Sequence, residues 1–513
     1  MTMLDAIGRS LAAACAEGGK ISPARLTAQQ YPAFGYARLL AMHAAARAIA
    51  DYAERHGDFE RRLAQCFAAD YRMELQAFAA LHPAFCHPEA ISFPSTQEDL
   101  LALGREILAR DRDLAGASGL APEHAEIRCM FASFADEQVA PLAETTHRDD
   151  RLIPESLLRA YAELGVFGVS IPQEFGGSFA DHLTMVLASE ELSRASLGIG
   201  GSVVTRPEIA AKAILAGGTP EQQAAWLPLL ARGKKMVCVA VTEPGAGSDV
   251  AHLQCVAKPT SGGVLLNGEK TWCTFAGRSD VLLVLARTGT KEDGHKGLTL
   301  FLAEKPVSDD EYAFRFVQAS GGVIEGKAIR TIGYRGMHSF AVSFQDYFVP
   351  SSHQIGRTGQ GFYLQMQGFA GGRIQTAARA LGVMEAAFRA AVRYVKERRL
   401  FGRTLAEFPL TQVRLAQMAA RLQACRQLTY ATCALMDKEG GGVEAALVKF
   451  LACREAEWVT REAMQLHGGM GYAEEYPVSR YWQDARVLSL FEGAEEVLGV
   501  MVIARSALEK YCQ

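Results

Sequence analysis

The stretch LFEGAEEVLG, residues 490–499, sets three carboxylates, Glu492, Glu495 and Glu496, within five positions of an otherwise apolar run. Glutamates on a solvated helix face are ordinary. Glu492 differs because it stands between Phe491 and Gly493 at the end of a segment that reads as buried, a setting in which a carboxylate can take up a proton from a substrate. Four other stretches carry groups able to hold a flat, anionic ligand. In VTEPGAGSD (241–249), Thr242 and Ser248 offer hydroxyls, and Gly245 and Gly247 let backbone N–H groups come close to a ligand; an ordinary tight loop has the same composition. In NGEKTWCTFAGRSD (267–280), Trp272 and Thr274 are two apart, so strand alternation puts them on one face. There an indole can cover a ring while a hydroxyl reaches its edge, and a buried strand tryptophan is the plainer alternative. KERRLFGRTLAEFPLTQ (396–412) ends a helix with basic residues; Arg398 suits a pyrophosphate and Phe401 an adenine, although cations at a helix C-terminus also complement its dipole. MQLHGGMGY (464–472) breaks a helix at Gly468 and Gly469 just after Gln465 and His467. His467 reads as a helix end rather than an acid or base. The sequence contains neither a GxxxxGKT phosphate loop nor a GxGxxG turn opening a helix after a first strand, which argues against a doubly wound dinucleotide fold.

These residues need a scaffold, and the chain is long enough for several domains. It has 513 residues, 49% apolar and 21% charged, with a net charge of −4. That balance gives no polycation for nucleic acid, and no run of eighteen apolar residues offers a membrane span. Asp5 and Glu17 argue against a transit peptide at the amphipathic N-terminus. The eleven cysteines are scattered without a CxxC pair, as expected of reduced thiols in a cytoplasmic protein rather than of disulfides or a metal site. Residues 1–120 read as a helical extension that runs, from HPAFCHPEAISFPSTQEDL (82–100) on, into a linker region punctuated by Pro83, Pro88, Pro94 and, later, Pro122. Residues 121–236 are helical again, with Thr219 and Pro220 opening one helix and Gly233 stopping it. From 237 to 355 the period shortens to that of strands, in VCVAVTEPG, GVLLNGEKTWCTF, DVLLVLART, GLTLFLAEK and FAVSFQDYFVP. From 356 to 513 long helices return, with apolar stripes such as Ile374, Ala377, Leu381, Met384, Phe388, Val392 and Val395. The order is helices, β domain, helix bundle, with an extra helical piece in front.

Taken together and in this order, VTEPGAGSD, TWCT, RRLF, QLHGG and FEG resemble the acyl-CoA dehydrogenase family of flavoproteins, from about residue 123 to 510. The resemblance implies an α+β multidomain fold: an N-terminal helical domain, a central β-barrel or sandwich domain and a C-terminal four-helix bundle. It implies FAD as cofactor, with Thr242, Ser248, Trp272 and Thr274 at the flavin ring. Arg398, Phe401, Gln465, Gly468 and Gly469 would hold the adenosine and pyrophosphate, largely across the interface of a homodimer or homotetramer. Glu492 takes the position of the catalytic base, flanked by Phe491 and Gly493 in the acyl site. It would remove the α-proton of an acyl-CoA while the β-hydrogen leaves as hydride to the flavin. The thioester oxygen would accept hydrogen bonds from the Glu492 backbone N–H and a ribityl hydroxyl, donors that contribute ~10²–10³ in rate each. Electrons would pass on to an electron-transferring flavoprotein.

The chain departs from the family's pattern in places. Relatives that carry their base on the preceding helix use the position that is Gly372 here. Ala494 and Glu496 stand where threonine and glutamine are usual, and Ala370 replaces an acidic residue before Arg373, which remains available to the substrate. The N-terminal extension and segments 193–215 and 327–344 are most similar to the family's branch acting on (2S)-methylsuccinyl-CoA, which it oxidises to mesaconyl-CoA in acetyl-CoA assimilation. A substrate ending in a carboxylate calls for an arginine at the closed end of the pocket. Arg206 is the first nominee and Arg194, which like Ser248 borders the substrate, the second; structural pairing with Glu190 or Glu208 is the alternative for both. A short- or branched-chain acyl-CoA dehydrogenase, an acyl-CoA oxidase and a flavin-less scaffold stay open. The extension is expected either to widen a dimer interface or to cover the flank of the pocket.

Overall fold

The computed structural model describes residues 2–86, 95–438 and 440–512. It divides into two compact units, residues 1–126 with 376–513, and residues 127–375; the division falls within the helix Gly361–Glu397. Pro88 and Pro94 of the expected linker lie outside the described residues.

The first unit is helical. Its N-terminal helices Gln30–Ala53, Asp58–Leu81 and Gln97–Ala109 pack on the helix Pro409–Met436. Gln30–Ala53 also meets Gly442–His467 and the C-terminal segment Leu498–Ala504, and Met3–Cys15 packs on Gln30–Ala53 and on Arg505–Glu509. Polar residues buried at these contacts find partners, as burial demands. Gln423 and Gln427 donate to the Ala117 and Ser118 carbonyls. Arg421 bridges Asp70, at 2.6 Å, and Glu455. The Phe34 ring meets that of Phe450 edge-on at 5.4 Å. The expected linker is not all irregular: Gln97–Ala109 is a helix capped by Thr96, whose hydroxyl accepts from the Asp99 N–H.

The second unit joins helices to one nine-stranded sheet. Thr219 caps the helix Pro220–Ala231 through the Gln222 N–H, and Gly233 follows it with φ +62°, as the residue pattern predicts. The path across the sheet runs Gln354–Ile355, Leu298–Glu304, Val281–Arg287, Val256–Thr260, Gly263–Thr274, Ser339–Pro350, Val323–Ile329, Ala313–Val317, and Val237–Ala240 pairs parallel to Val281–Arg287. Val281–Arg287 is buried along its whole length because both of its faces are covered. Val281, Leu283 and Leu285 join the apolar cluster under the helices Thr205–Gly217 and Pro220–Ala231. Leu282, Val284 and Ala286 join the cluster of Phe340, Phe344 and Tyr347.

Four strands of this sheet go beyond those expected from the sequence: Val256–Thr260, Ala313–Val317, Val323–Ile329 and the short Gln354–Ile355. A second correction concerns Trp272 and Thr274. Thr271 and Trp272 together oppose Ala341, a bulge that interrupts the pairing of Gly263–Thr274 with Ser339–Pro350. Trp272 takes φ +59° there and is 55% exposed, so simple alternation does not carry from Trp272 to Thr274.

Candidate active site

The predicted site residues fall on both units, and each group has its own supports. In the first unit, the helix Val478–Leu488 ends in a turn, and Phe491, Glu492 and Gly493 follow before the chain becomes helical again at Glu495. Glu492 has φ +53° and Gly493 φ +98°. A left-handed glutamate costs on the order of 1 kcal/mol and persists only where its surroundings over-determine it. Those surroundings are explicit. Lys449, on Gly442–His467, donates from Nζ to the Gly493 carbonyl at 2.6 Å. The Arg379 guanidinium lies 4.7 Å from the centre of the Phe491 ring. Ser489 donates to Glu457, and Arg454 pairs with Glu495 at 2.7 Å. A side chain at Gly493 would meet both the strained φ and Leu498, 2.9 Å from the added Cβ. Glu492 itself is half-buried, and its Oε2 is buried without a hydrogen-bond partner. Buried carboxylate oxygens are nearly always satisfied, so an orphaned one beside a strained backbone marks a site that needs a further group.

The nucleotide-type residues of this unit converge on a cleft of about 880 Å³ at the end of Gly442–His467. Arg398, Gln465, Gly468 and Gly469 line it, together with Arg414 and Arg461, both of which pair with Glu462 in the same lining. Gly468 sits at φ 58°, ψ −139°, a region open essentially to glycine alone. Side chains at Gly468 and Gly469 would meet no atom of the chain, so both leave room for something else. Phe401 is not among the lining residues. It occupies the tip of the hairpin Arg399–Leu400/Arg403–Thr404 at φ +51° and is 86% exposed. An apolar ring is thus held outward in a turn position that favours asparagine or glycine. His467 is a helix end, as expected: buried, it donates from Nδ1 to the Ala463 carbonyl at 2.7 Å and stacks on Tyr394 at 4.1 Å. Burial pushes its pKa below the usual histidine range.

In the second unit, the loop carrying Thr242 and Ser248 is pinned from beneath. Lys270 donates to the Val241 carbonyl at 2.9 Å and to Glu243 at 2.8 Å. Glu243 also accepts from the Gln254 and Cys255 N–H groups. The Thr242 carbonyl accepts from the Thr271 N–H at 2.8 Å, which ties this loop to the Trp272 bulge. Thr242 is half-buried and Ser248 exposed, while the Thr274 hydroxyl shares a hydrogen bond with Ser339 at 2.9 Å. A Cβ at Gly245 would meet nothing within the chain. Exposed Trp272 and the open loop suit a flat ring, and in the other unit the arginine- and glycine-lined cleft suits a diphosphate; each set by itself fits a part of FAD.

Arg194, the second nominee for the acyl pocket, is taken up elsewhere. It pairs with Asp136 at 2.8 Å and with Glu191 at 2.7 Å, neither of them the alternatives expected. Arg206 instead donates to the Ser202 carbonyl at 2.6 Å and to the Tyr334 hydroxyl at 3.3 Å, and no carboxylate among the described residues lies within ion-pair distance of it. Glu208 is matched by Lys212 at 2.7 Å and by Gln375. Arg373 is half-buried on the helix Gly361–Glu397. Sequence reasoning missed Lys449, Arg379, Lys270 and Glu243. For Lys449 a signal existed: it interrupts the apolar stripe Ala445, Ala452 and Ala456 of one helix face.

Comparison with known proteins adds the decisive observation. Models of the acyl-CoA dehydrogenase N-terminal, middle and C-terminal domains match residues 121–234, 238–347 and 359–508. The chain belongs to the acyl-CoA dehydrogenase family. It is an oxidoreductase of that family and has the family's fold of N-terminal helices, middle β-sheet and C-terminal helices. Over 425 residues, 82% of this chain and 76% of the other, it is 43% identical to the (2S)-methylsuccinyl-CoA dehydrogenase of Cereibacter sphaeroides. Butyryl-CoA dehydrogenase from Megasphaera elsdenii superposes with a TM-score of 0.68 at 31% identity, over 75% of this chain and 97% of that one. A glutaryl-CoA dehydrogenase from Mycobacterium smegmatis in complex with FADH2 gives 0.67 at 25% identity, over 77% and 96%. Among the described residues no helix is long and apolar enough to cross a membrane.

Proposed function

We propose that the chain is an FAD-dependent dehydrogenase of a short, α-branched dicarboxylic acyl-CoA, with (2S)-methylsuccinyl-CoA as substrate and mesaconyl-CoA as product. The observation that carries the reading is the Glu492 turn: a carboxylate with one buried, unbonded oxygen on a left-handed backbone held by neighbouring helices. Glu492 takes the α-proton, and its backbone N–H supports the thioester oxygen as charge develops there. When bound, FAD supplies the acceptor for the β-hydrogen and its electron pair. Thr242, Ser248, Trp272 and Thr274 hold the ring side of the cofactor. Arg398, Gln465, Gly468 and Gly469 hold its diphosphate and adenosine, with Phe401 reaching a second copy of the chain in a homodimer. Arg373 and Ser248 contact the substrate, and Phe491 and Gly493 border its acyl group. Arg206 meets the free carboxylate; its lack of an acidic partner supports this, whereas Arg194 is already neutralised. Residues 1–120 form an extension ahead of functional segments 121–236, 237–355 and 356–513. An electron-transferring flavoprotein in the cytoplasm takes the electrons onward.

The identity to a methylsuccinyl-CoA dehydrogenase supports this substrate over the monocarboxylic thioesters of short-chain dehydrogenases. The test is a spectrophotometric screen of the purified holoenzyme with a ferrocenium acceptor against methylsuccinyl-, butyryl-, isobutyryl- and glutaryl-CoA. The reading predicts the highest kcat/KM for methylsuccinyl-CoA. Preference for butyryl-CoA removes the dicarboxylic assignment, and peroxide formation in air in place of ferrocenium reduction identifies an oxidase.

A further inference from the structure

We propose that Lys449 is the positioning residue that fixes the Glu492 turn for proton abstraction, acting through the Gly493 carbonyl. This rests on the reading of Glu492 as the base. Lys449 is fully buried on the helix Gly442–His467, and its Nζ donates to the Gly493 oxygen at 2.6 Å. Among the described residues no carboxylate lies within ion-pair distance of it. Glu495, two residues after Gly493, is held by Arg454. Glu492 immediately precedes the carbonyl that Lys449 grips and carries the buried oxygen that accepts no hydrogen bond. A backbone carbonyl alone does not call for a cation, since a neutral donor satisfies it without the cost of burying charge. A buried, unmatched ammonium beside an unsatisfied carboxylate does two things together. Its hydrogen bond stops the peptide after Gly493 from rotating, which keeps the left-handed pair at 492 and 493. Its charge attracts the Glu492 carboxylate, which helps to hold that side chain at the turn. The surroundings agree: burial lowers the Lys449 pKa, and Cys453, Glu492 and Glu495 pull it back up while Arg379 opposes them.

The test uses the FAD-loaded enzyme with Lys449→Met and Lys449→Ala. Lys449→Met is expected to keep its FAD and its KM while substrate-driven flavin bleaching slows roughly 10²-fold, the loss that a small misplacement of a reacting group produces. Backbone amides of residues 492–495 are expected to exchange hydrogen for deuterium faster than in the parent, a readout independent of turnover. Propylamine added to Lys449→Ala should restore the bleaching rate in proportion to amine occupancy. A Lys449→Met enzyme that holds FAD and bleaches at the parent's rate overturns the proposal. So does loss of FAD or fold in both variants without amine rescue, which would make Lys449 an ordinary core residue. Glu492→Gln, measured alongside, separates the two levels. If it is slow while Lys449→Met is normal, only the Lys449 role falls; if it bleaches at the parent's rate, the assignment of the base itself fails.

Discussion

Two loops in this molecule, one in each compact unit, are each held by a fully buried lysine that donates to a backbone carbonyl: Lys270 to Val241 and Lys449 to Gly493. They differ in what else the lysine meets. Lys270 has Glu243 at 2.8 Å, and that carboxylate is completed by the Gln254 and Cys255 N–H groups. Lys449 has no such partner among the described residues. A buried ion with its counter-charge in place is scaffolding: it fixes the Thr242 and Ser248 loop and has nothing left to offer a ligand. A buried ion without one keeps its field for a neighbour, here the turn carrying Glu492. The same contrast separates Arg194, taken up by Asp136 and Glu191, from Arg206, whose partners among the described residues are neutral oxygens.

The contrast can be broken by removing each cation. Lys270→Met strands Glu243 as an unpaired buried charge and should lower stability by about 3–5 kcal/mol, read as a urea midpoint shift. Lys449→Met leaves one carbonyl unsatisfied and no stranded carboxylate bonded to it, so its loss should be smaller, about 1–3 kcal/mol. Equal losses would erase the distinction between a matched and a reserved lysine. Arg206→Leu sharpens the arginine half. It should raise KM for methylsuccinyl-CoA by roughly 10–100-fold, the worth of a charged hydrogen bond, and leave butyryl-CoA unchanged. An equal rise for both thioesters places Arg206 outside the acyl pocket. The smallest effect is at His467, whose folded-state pKa is lowered by burial. As pH falls below the ordinary value of 6.5, the unfolded chain gains a proton that the folded one does not, so stability drops. The slope should be at most roughly 1.4 kcal/mol per pH unit, and His467→Gln should flatten it.

What the sequence made legible follows the same physics. Signals confined to a few neighbouring residues could be read directly: the Thr219–Pro220 helix start, the long apolar stripes and the glycine break after His467. Strands whose pattern is diluted could not. Val256–Thr260 contains Pro259, and Ala313–Val317 at the sheet edge keeps its alternate residues exposed. The bulge at Trp272 depends on which residue of a distant strand stands opposite, information absent from TWCT itself. Glu492 could be nominated because its neighbours and the family motif mark it. Lys449 left one signal, its break in the Ala445, Ala452 and Ala456 stripe, but not its role, because its partner is a backbone carbonyl, which has no residue identity, and because lysine in a helix ordinarily means solvent. Arg194 and Arg206 look alike in sequence, and only the placement of Asp136 and Glu191 tells them apart.

The most direct test of the account mixes FAD-loaded Glu492→Gln with (2S)-methylsuccinyl-CoA in a rapid-mixing spectrophotometer and follows the flavin band. The variant is isosteric and keeps the turn, so it should still bind cofactor and thioester. Bleaching should slow by roughly 10²–10⁴-fold, the contribution of a positioned general base. Bleaching at the parent's rate would show that another group takes the α-proton and would contradict the assignment on which the rest is built.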